Sequence, residues 1–186
     1  MINFDNAATT FPKPRSVRQA MEMAMLKYGG NAGRGGHQLT ERTSEQVFAA
    51  REEAAAFFGG KPENTIFCLN CTHALNLSIQ GIVQPNDHVI ISNLEHNAVL
   101  RPVAAMVRER GVQCSIAPVS VDDKETIAAF RARIRPNTRA IICTLASNVT
   151  GQILPYRELA ALCNEHDICM IADGAQACGT LPVQMS

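Results

Sequence analysis

Apolar side chains in the first third of the chain recur three or four residues apart, which is the spacing of an amphipathic helix. This spacing predicts one helix from Ser16 to the pair Gly29 and Gly30, and a second over residues 43–58, before another glycine pair. Glycine is common directly after a helix because it adopts a positive φ without strain. Residues 1–15, which contain two prolines, are predicted to be an extended N-terminal arm.

Beyond residue 64, short apolar runs alternate with helical stretches. The runs predicted to be strands span residues 65–69, 88–92, 113–118, 140–145 and 169–172. The predicted helices between them lie near residues 73–83, 97–110, 123–133 and 156–166. This alternation is typical of a three-layer αβα protein of the α/β class, in which a mostly parallel sheet lies between two layers of helices.

The composition is that of an ordinary folded protein that acts on a small molecule. The 186 residues are 46% hydrophobic and 18% charged, and the formal net charge is +0. Because acids and bases are interspersed, the chain lacks the basic stripe that nucleic acid or an anionic membrane requires. The sequence has no signal-peptide pattern and no membrane span, so we expect a cytoplasmic protein.

The seven cysteines are scattered through predicted strands and helices, and their number is odd. This distribution predicts reduced thiols rather than a disulfide framework. Cys68 and Cys71 form a single C-x-x-C pair. Because no second pair or suitably spaced histidine accompanies them, they lack the four ligands of a structural zinc site, and we expect no bound metal.

The segment that carries most chemistry is CMIADGAQ, residues 169–176. A buried parallel strand that ends in an acid presents that acid at the carboxyl edge of the sheet, where ligands bind. At such an edge Asp173 can keep the ring nitrogen of pyridoxal 5′-phosphate (PLP) protonated, and Gln176 can reach the phenolic oxygen of the same ring. An ordinary turn or helix cap is the alternative for an aspartate that precedes glycine.

Three other predicted strand ends also carry polar groups. Thr72 opens a predicted helix, so its hydroxyl and the nearby backbone N–H groups provide either a phosphate site or an ordinary N-cap. His96 follows the second strand, where an imidazole can stack on a flat ring and exchange protons near neutral pH. Asn148 follows the fourth strand with an amide that can bind the ring oxygen or a substrate carboxylate.

Arg34 and His37 lie in the glycine-rich segment of residues 31–40. This segment follows a helix rather than a strand, so it fits neither the dinucleotide-binding fingerprint nor the P-loop. Side chains on such an exposed loop are available to a ligand or to a partner subunit, and solvated loop charges are the alternative.

Six ordered segments of the chain resemble the class V aminotransferase superfamily, and specifically its cysteine desulfurase branch. They are FDNAATT, GNAGRGGH, CTHALN, LEHNAVLRP, SNVTGQILP and IADGAQ, and together they extend over essentially the whole chain. The resemblance implies the fold-type I architecture of PLP enzymes and a homodimer. It also implies conversion of L-cysteine, or a related amino acid, to L-alanine, with sulfur transferred to an enzyme cysteine and onward to a possible acceptor protein.

The resemblance assigns cofactor roles near the first two strand ends. Cys71 and Thr72 match the positions where the family holds the cofactor phosphate, and His73 stands next to them. His96 matches the catalytic histidine that stacks on the pyridine ring and helps to move protons.

The remaining matches concern the ring edge and the substrate. Asp173 and Gln176 match the partners of the ring nitrogen and the ring oxygen, and Asn148 matches an asparagine on the substrate side of the ring. Arg34 and, less directly, His37 match a loop that in relatives approaches the active site of the neighbouring subunit.

The chain departs from the family pattern at Asn70, where many relatives have glycine, and at Gly33, where some have histidine. No lysine follows Asp173, although the family's Schiff-base lysine lies a few tens of residues beyond this motif and the persulfide cysteine lies further on. We therefore expect residues 16–186 to be the N-terminal part of a large PLP-binding domain. We also expect the 186-residue chain to be inactive by itself.

Other activities share nearly all of these residues. A selenocysteine lyase, a kynureninase-like hydrolase and an aminotransferase of the same fold differ from a desulfurase mainly beyond residue 186. A non-catalytic module that binds PLP loosely, or that acts only by interaction, is the alternative from a different functional class.

Overall fold

In the computed structural model, which describes residues 6–185, the chain divides between Phe67 and Cys68 into two units. The first unit contains residues 6–67 and 183–185, and the second contains residues 68–182. Residues 1–5, which begin the predicted arm and the FDNAATT segment, lie outside the described residues. The predicted division of the chain at residue 15 stays a prediction.

The first unit consists of two long helices and one short 3-10 turn. Helix α1 spans Arg15–Lys27, helix α2 spans Gln38–Phe57, and the 3-10 turn spans Pro62–Asn64. No residue of α1 is buried, and its exposed apolar side chains include Met25 and Leu26.

Helix α2 begins five residues earlier than predicted. The backbone N–H groups of Thr40 and Glu41 both donate to the carbonyl oxygen of His37, which starts the helix there. Thr43, the predicted first residue, donates its hydroxyl to the Leu39 carbonyl at 2.9 Å instead. A threonine that bonds to the carbonyl four residues earlier occupies a helix interior, so the sequence position alone gave the wrong start.

The predicted strand over residues 65–69 is wrong, because these residues belong to no strand of the described chain. The side chains of Ile66 and Phe67 are 68% and 57% exposed, although they are apolar. A strand requires a neighbour that accepts and donates its backbone hydrogen bonds, and no described strand pairs with this segment. An apolar run predicts a preference for extended backbone but cannot supply that neighbour.

The second unit is the predicted αβα arrangement, and the other four predicted strands are confirmed. Its helices are α3 (Cys71–Ile82), α4 (Asn97–Arg110), α5 (Asp123–Arg131) and α6 (Tyr156–Glu165). Its strands are β1 (His88–Ser92), β2 (Gln113–Ala117), β3 (Thr138–Thr144) and β4 (Cys169–Asp173). The strand order is β2-β1-β3-β4, and every pair is parallel.

Two apolar cores separate the sheet from its helix layers. On one face, Leu75 of α3 and Val99 of α4 pack with Ile91 and Ile142 of the sheet. On the other face, α5 and α6 contribute the fully buried Phe130 and Leu159, which pack with Ile90, Ile141 and Cys143. Side chains that alternate along β1 and β3 therefore supply both cores, as a sheet covered on both faces requires.

Beside the amino ends of the strands, the imidazole of His88 is fully buried. Its Nδ1 lies 2.8 Å from Thr138 Oγ1 and its Nε2 lies 2.9 Å from Ser115 Oγ, so the ring connects β1 to both neighbouring strands. Burial, together with the nearby Arg135 guanidinium, lowers the pKa of His88 below its ordinary value. The folded protein therefore holds this ring in its neutral form.

We predict that acid destabilises the protein through His88. Because the folded-state pKa is depressed, the stabilisation by the neutral ring is fully present above about pH 6.5 and is lost as the pH falls through the folded-state pKa. The His88→Gln variant keeps a neutral donor and acceptor, so its melting temperature will fall less than that of the wild type on acidification. The measurement is calorimetric melting between about pH 7.5 and pH 4.5.

The matched control is His166→Gln, since His166 is exposed on the same unit. If the wild type and His88→Gln lose equal stability in acid, the buried imidazole is not the group that titrates.

Candidate functional site

The carboxyl ends of β3 and β4 meet the amino ends of α3 and α4 around a cavity of about 160 Å³. It contains six of the nine residues predicted for the site. The lining residues are Cys71, Thr72, His96, Ala98, Thr144, Ala146, Asn148, Asp173, Ala175 and Gln176. Parallel strands place their carboxyl ends at one edge, which explains why residues far apart in sequence converge here.

Asp173 ends β4 at the wall of this cavity and is only 4% exposed. Its Oδ1 accepts the backbone N–H of Ala175 at 3.0 Å and the thiol of Cys71 at 3.3 Å. Its Oδ2 has no hydrogen-bond partner among the described residues. The turn cap that the sequence offered as an alternative is thus present, but it occupies only one carboxylate oxygen, and the other remains available to a ligand.

The side chain of Cys71 is bonded to this aspartate. Burial raises the pKa of Cys71 to about 12, and the charge of Asp173 and its hydrogen bond with the thiol contribute further. A thiol with such a pKa is protonated at neutral pH, so Cys71 acts as a hydrogen-bond donor and not as a thiolate nucleophile.

The amino end of α3 is capped by Asn70 and not by Thr72. Asn70 Oδ1 accepts the His73 backbone N–H at 2.9 Å, and the Asn70 carbonyl accepts the Ala74 N–H at 3.1 Å. The threonine hydroxyl has no hydrogen-bond partner among the described residues and faces the cavity. Asn70, a departure from the family pattern, therefore performs the capping and leaves Thr72 for a ligand.

His73 does not line this cavity. Its Nδ1 accepts the backbone N–H of Leu69 at 3.4 Å, and its own N–H is bonded to the Asn70 cap. Of the three neighbouring residues predicted at a phosphate, the structure brings Cys71 and Thr72 to the cavity and turns His73 toward the preceding loop.

His96 is the N-cap of α4, and its imidazole is oriented by the backbone. The Nδ1 atom accepts the N–H of Ala98 at 3.1 Å, so a neutral ring carries its proton on Nε2. The His96 carbonyl accepts the N–H groups of Val99 and Leu100, which start the helix. Two sets of local bonds therefore hold the ring at the cavity wall.

Asn148 lies on a tight loop after β3, and hydrogen bonds to Ser147 stabilise this loop. The Ser147 hydroxyl accepts the N–H groups of Val149 and Thr150, each at 3.3 Å, and its carbonyl accepts the Gly151 N–H at 2.9 Å. Gly151 has a φ of 72°, which a residue with a side chain rarely adopts. The loop is fixed internally, so the Asn148 amide is presented at the cavity without being used in the loop itself.

Arg34 and His37 belong to the first unit, where both side chains are exposed. His37 Nε2 lies 3.1 Å from Thr40 Oγ1, and the same hydroxyl bonds to the Arg34 carbonyl at 3.4 Å. These contacts fix the loop before α2 and leave the Arg34 guanidinium free of ion pairs among the described residues. The predicted role of both residues at a partner subunit stays a prediction.

Sequence reasoning assigned no role to Glu95, although it stands inside the quoted segment LEHNAVLRP. Glu95 is 9% exposed, which is unusual for a carboxyl group, and it contacts the end of β3. An acid three residues after a fully buried strand was the available signal, but the chemical interpretation went to His96 beside it.

A second cavity, of about 320 Å³, lies beside the amino ends of β3 and β4 and contains none of the predicted site residues. Within residues 6–185 no group of three or more His, Cys, Asp or Glu side chains is placed to hold a metal ion. None of the described helices has the length and apolar character that crossing a membrane requires.

The family described as Aminotransferase class-V matches this chain over residues 2–186. A probable cysteine desulfurase 1 of Mycobacterium leprae is 30% identical over 191 residues, an alignment that covers 100% of this chain and 31% of that protein.

Two solved structures are similar in fold and sequence. The apo structure of cysteine desulfurase from Thermococcus onnurineus NA1 has a TM-score of 0.86 at 26% identity and covers 97% of this chain and 46% of that one. A structure of SspA in complex with cysteine has a TM-score of 0.87 at 25% identity, with 99% of this chain and 53% of that one covered. The chain thus spans 31% to 53% of the length of these three proteins.

We predict that the Cys71 thiol becomes more reactive when Asp173 loses its charge. In Asp173→Asn the amide oxygen still accepts the thiol hydrogen, but the negative charge that disfavours the thiolate is gone. Alkylation of Cys71 by iodoacetamide at about pH 8, followed by peptide mass spectrometry, should be roughly three- to tenfold faster, because thiolate fraction sets the rate.

Glu158→Gln, an exposed change on α6, is the control for this experiment and should leave the rate unaltered. An equal rate of Cys71 alkylation in the wild type and Asp173→Asn would mean that the carboxylate does not act on this thiol.

Proposed function

Because the chain belongs to the aminotransferase class-V family, we propose that the cavity binds PLP and that the full-length protein is a PLP-dependent cysteine desulfurase. Such an enzyme converts L-cysteine to L-alanine and transfers the sulfur to one of its own cysteines. The observation that carries this proposal is Asp173, a buried carboxylate with one oxygen fixed by Cys71 and Ala175 and the other without a partner in the described chain.

The residues present fit the ring of this cofactor. About 150 Å³ is enough space for a benzene ring, and the cavity is of that size. Asp173 Oδ2 is available to a protonated ring nitrogen, which is the partner that a buried carboxylate needs. When bound, PLP supplies an electron sink that stabilises negative charge on the substrate's α-carbon.

The phosphate of PLP fits the amino end of α3. The Thr72 hydroxyl and the first N–H groups of the helix have no partners among the described residues, and the helix dipole favours an anion there. Since Asn70 already satisfies the His73 N–H, the proposed phosphate site consists of Cys71 and Thr72. Their role is to anchor the cofactor so that its ring lies at Asp173.

His96, Asn148 and Gln176 complete the proposed environment of the ring. The imidazole of His96 covers one face of the ring, and its Nε2–H is available to exchange a proton with the substrate, because Nδ1 is occupied by Ala98. Gln176 and Asn148 present amide groups toward the ring oxygen and the substrate carboxylate. Each has the polar character that such a contact requires.

The sulfur-accepting cysteine and the lysine that holds the cofactor are proposed to lie in the part of the relatives' length that this chain does not span. The residues that line the cavity include no lysine. Burial raises the pKa of five thiols, which makes them weak nucleophiles at neutral pH. They are Cys71, Cys114, Cys143, Cys163 and Cys178. We therefore assign no sulfur-transfer step to these five thiols.

We further propose a cytoplasmic homodimer that delivers its sulfur to an acceptor protein. The support for a dimer is helix α1, an amphipathic helix that buries none of its residues within its own unit. Its exposed residues Met21, Met25 and Leu26 form an apolar surface that a second subunit can cover. In such a dimer, Arg34 is proposed to serve the active site of the partner.

We predict that Asp173→Ala in the full-length protein weakens PLP binding roughly 10- to 100-fold, because it removes a charge-assisted hydrogen bond. Formation of alanine and sulfide from L-cysteine should fall at least as far, since the ring nitrogen loses the group that keeps it protonated. The Kd for PLP is measured by equilibrium dialysis, and products are quantified with a thiol reductant present.

Glu158→Gln again serves as the control. Wild-type protein that binds PLP without releasing sulfide would support the non-catalytic alternative. Preferential turnover of selenocysteine, or amino transfer to a keto acid, would identify one of the related activities instead.

We predict that Arg34→Ala and Asp173→Ala subunits complement each other. If Arg34 acts on the partner's site, both lesions fall in one site of a mixed dimer and the other site is intact. After random subunit exchange of two inactive proteins, roughly a quarter of wild-type activity should return, because half the dimers are mixed and each has one good site.

Mixing Thr72→Ala with Asp173→Ala is the matched control. Both residues line the cavity of one chain, so every site of that mixed dimer carries a lesion and activity should stay low. If the Arg34 mixture recovers no more activity than this control, Arg34 does not serve the partner's site.

A further inference from the structure

Glu95 is a buried acid that joins two of the loops around the cavity. Its Oε1 accepts the hydroxyl of Ser92, at the end of β1, and the backbone N–H of Thr144, at the end of β3, the latter at 2.9 Å. Ser92 Oγ in turn accepts the backbone N–H of Leu94 at 3.1 Å. One carboxyl oxygen therefore holds the turn that leads into α4 against the tip of β3.

Both connections lead to residues of the proposed cofactor site. His96 is the next residue after Glu95, so the position of its backbone depends on the same turn. Thr144 is the register partner of Asp173 in the β3–β4 pair, and the following N–H, of Leu145, donates to the Asp173 carbonyl at 2.9 Å. Glu95 thus connects the turn that precedes His96 to the strand end whose register partner is Asp173.

The other oxygen, Oε2, is buried and has no hydrogen-bond partner among the described residues. The ionisable groups that act on Glu95 are Asp173 on β4 and the Cys143 thiol on β3, and no described lysine or arginine forms an ion pair with it. His96 is its neighbour along the chain. A buried carboxylate without a cation is costly, whereas the neutral acid leaves only an uncharged hydroxyl group unpaired.

The balance of these effects favours the neutral acid in the folded protein below about pH 7. Burial is the largest effect and raises the pKa of Glu95, the hydrogen bonds from Ser92 and Thr144 lower it, and the charge of Asp173 raises it, with a net value of about 7. The two hydrogen bonds to Oε1 are compatible with a protonated carboxyl group, because a carbonyl-type oxygen accepts both.

We propose that Glu95 is a positioning residue of the cofactor site, which in its neutral form holds the His96 turn to the tip of β3 and leaves Asp173 as the one negative charge beside the ring. The inference rests on the proposed PLP function for its consequence at the ring. A second carboxylate at this edge would compete for the ring's positive charge and would add repulsion where Asp173 must stay ionised. Glu95 therefore acts through His96, Thr144 and Asp173 and does not contact the ring itself.

The test compares three variants of the full-length protein with the wild type. Glu95→Gln keeps the shape and the acceptor oxygen but cannot ionise, and Glu95→Ala removes the connection. Ser92→Ala removes one of the two hydrogen bonds without opening a large cavity, so it remains informative if Glu95→Ala fails to fold. Glu158→Gln is the exposed control. The two readouts are the Kd for PLP and the melting temperature of the protein without PLP across a range of pH.

We predict that Glu95→Gln binds PLP within about threefold of the wild type and that Glu95→Ala weakens binding tenfold or more, with Ser92→Ala between them. Because the folded-state pKa of Glu95 is raised, its stabilisation is present below about pH 4.5 and is lost as the pH rises to about 7. The difference in melting temperature, Glu95→Gln minus wild type, should therefore increase by roughly 5 °C or more between pH 5 and pH 8.

Three results would overturn the proposal. They are a loss of PLP affinity in Glu95→Gln as large as in Glu95→Ala, wild-type affinity in Ser92→Ala or Glu95→Ala, and a difference in melting temperature that does not change with pH. Failure of the proposed function looks different, because then the wild type itself binds no PLP. In that case the pH profile of Glu95→Gln against the wild type still decides whether Glu95 is held as a neutral acid.

Discussion

The parallel register of β3 with β4 is the constraint on which the candidate site depends. This register sets Thr144 beside Asp173 at the carboxyl edge of the sheet. Two contacts of the site depend on that pair: Glu95 bonds to the backbone of Thr144, and Cys71 bonds to the side chain of Asp173. A one-residue shift of β4 against β3 would turn the side chain of Asp173 toward the opposite face of the sheet and separate it from Cys71.

The site also has a particular distribution of charge. Around Asp173 stand a thiol and a carboxyl group, Cys71 and Glu95, whose pKa values are both raised, chiefly by burial and in part by Asp173 itself. Below about pH 7, both groups are therefore mainly neutral beside one carboxylate. Such an edge attracts a cationic group of a ligand at one defined point, which a cluster of ionised acids would not do.

The sequence predicted the elements that depend on local pattern and the residues at strand ends. Four strands and the position of Asp173 follow from short apolar runs that end in polar residues, and the convergence of Thr72, His96 and Asn148 follows from parallel topology. The predictions that failed concern features that depend on partners distant in sequence, or on hydrogen bonds that the residue type does not specify. The segment 65–69 has the composition of a strand but no described neighbour.

The role of Glu95 was hidden for a similar reason. Its function arises from the Thr144 N–H, 49 residues away, and from the burial that the two strand ends create together. The cap of α3 is likewise not determined by residue type, because either Asn70 or Thr72 is an acceptable N-cap. Only the backbone geometry determines that Asn70 accepts the His73 N–H.

That choice of cap has a chemical consequence. Because Thr72 is not needed for capping, its hydroxyl and the first N–H groups of α3 have no partners in the described chain. Folded proteins rarely leave such groups in a cavity without a hydrogen-bond partner. Asp173, whose Oδ2 also has no partner among the described residues, lines the same cavity. Unpaired donors and a single anionic acceptor in one cavity are complementary to a ligand that carries both an anion and a cation on one rigid ring.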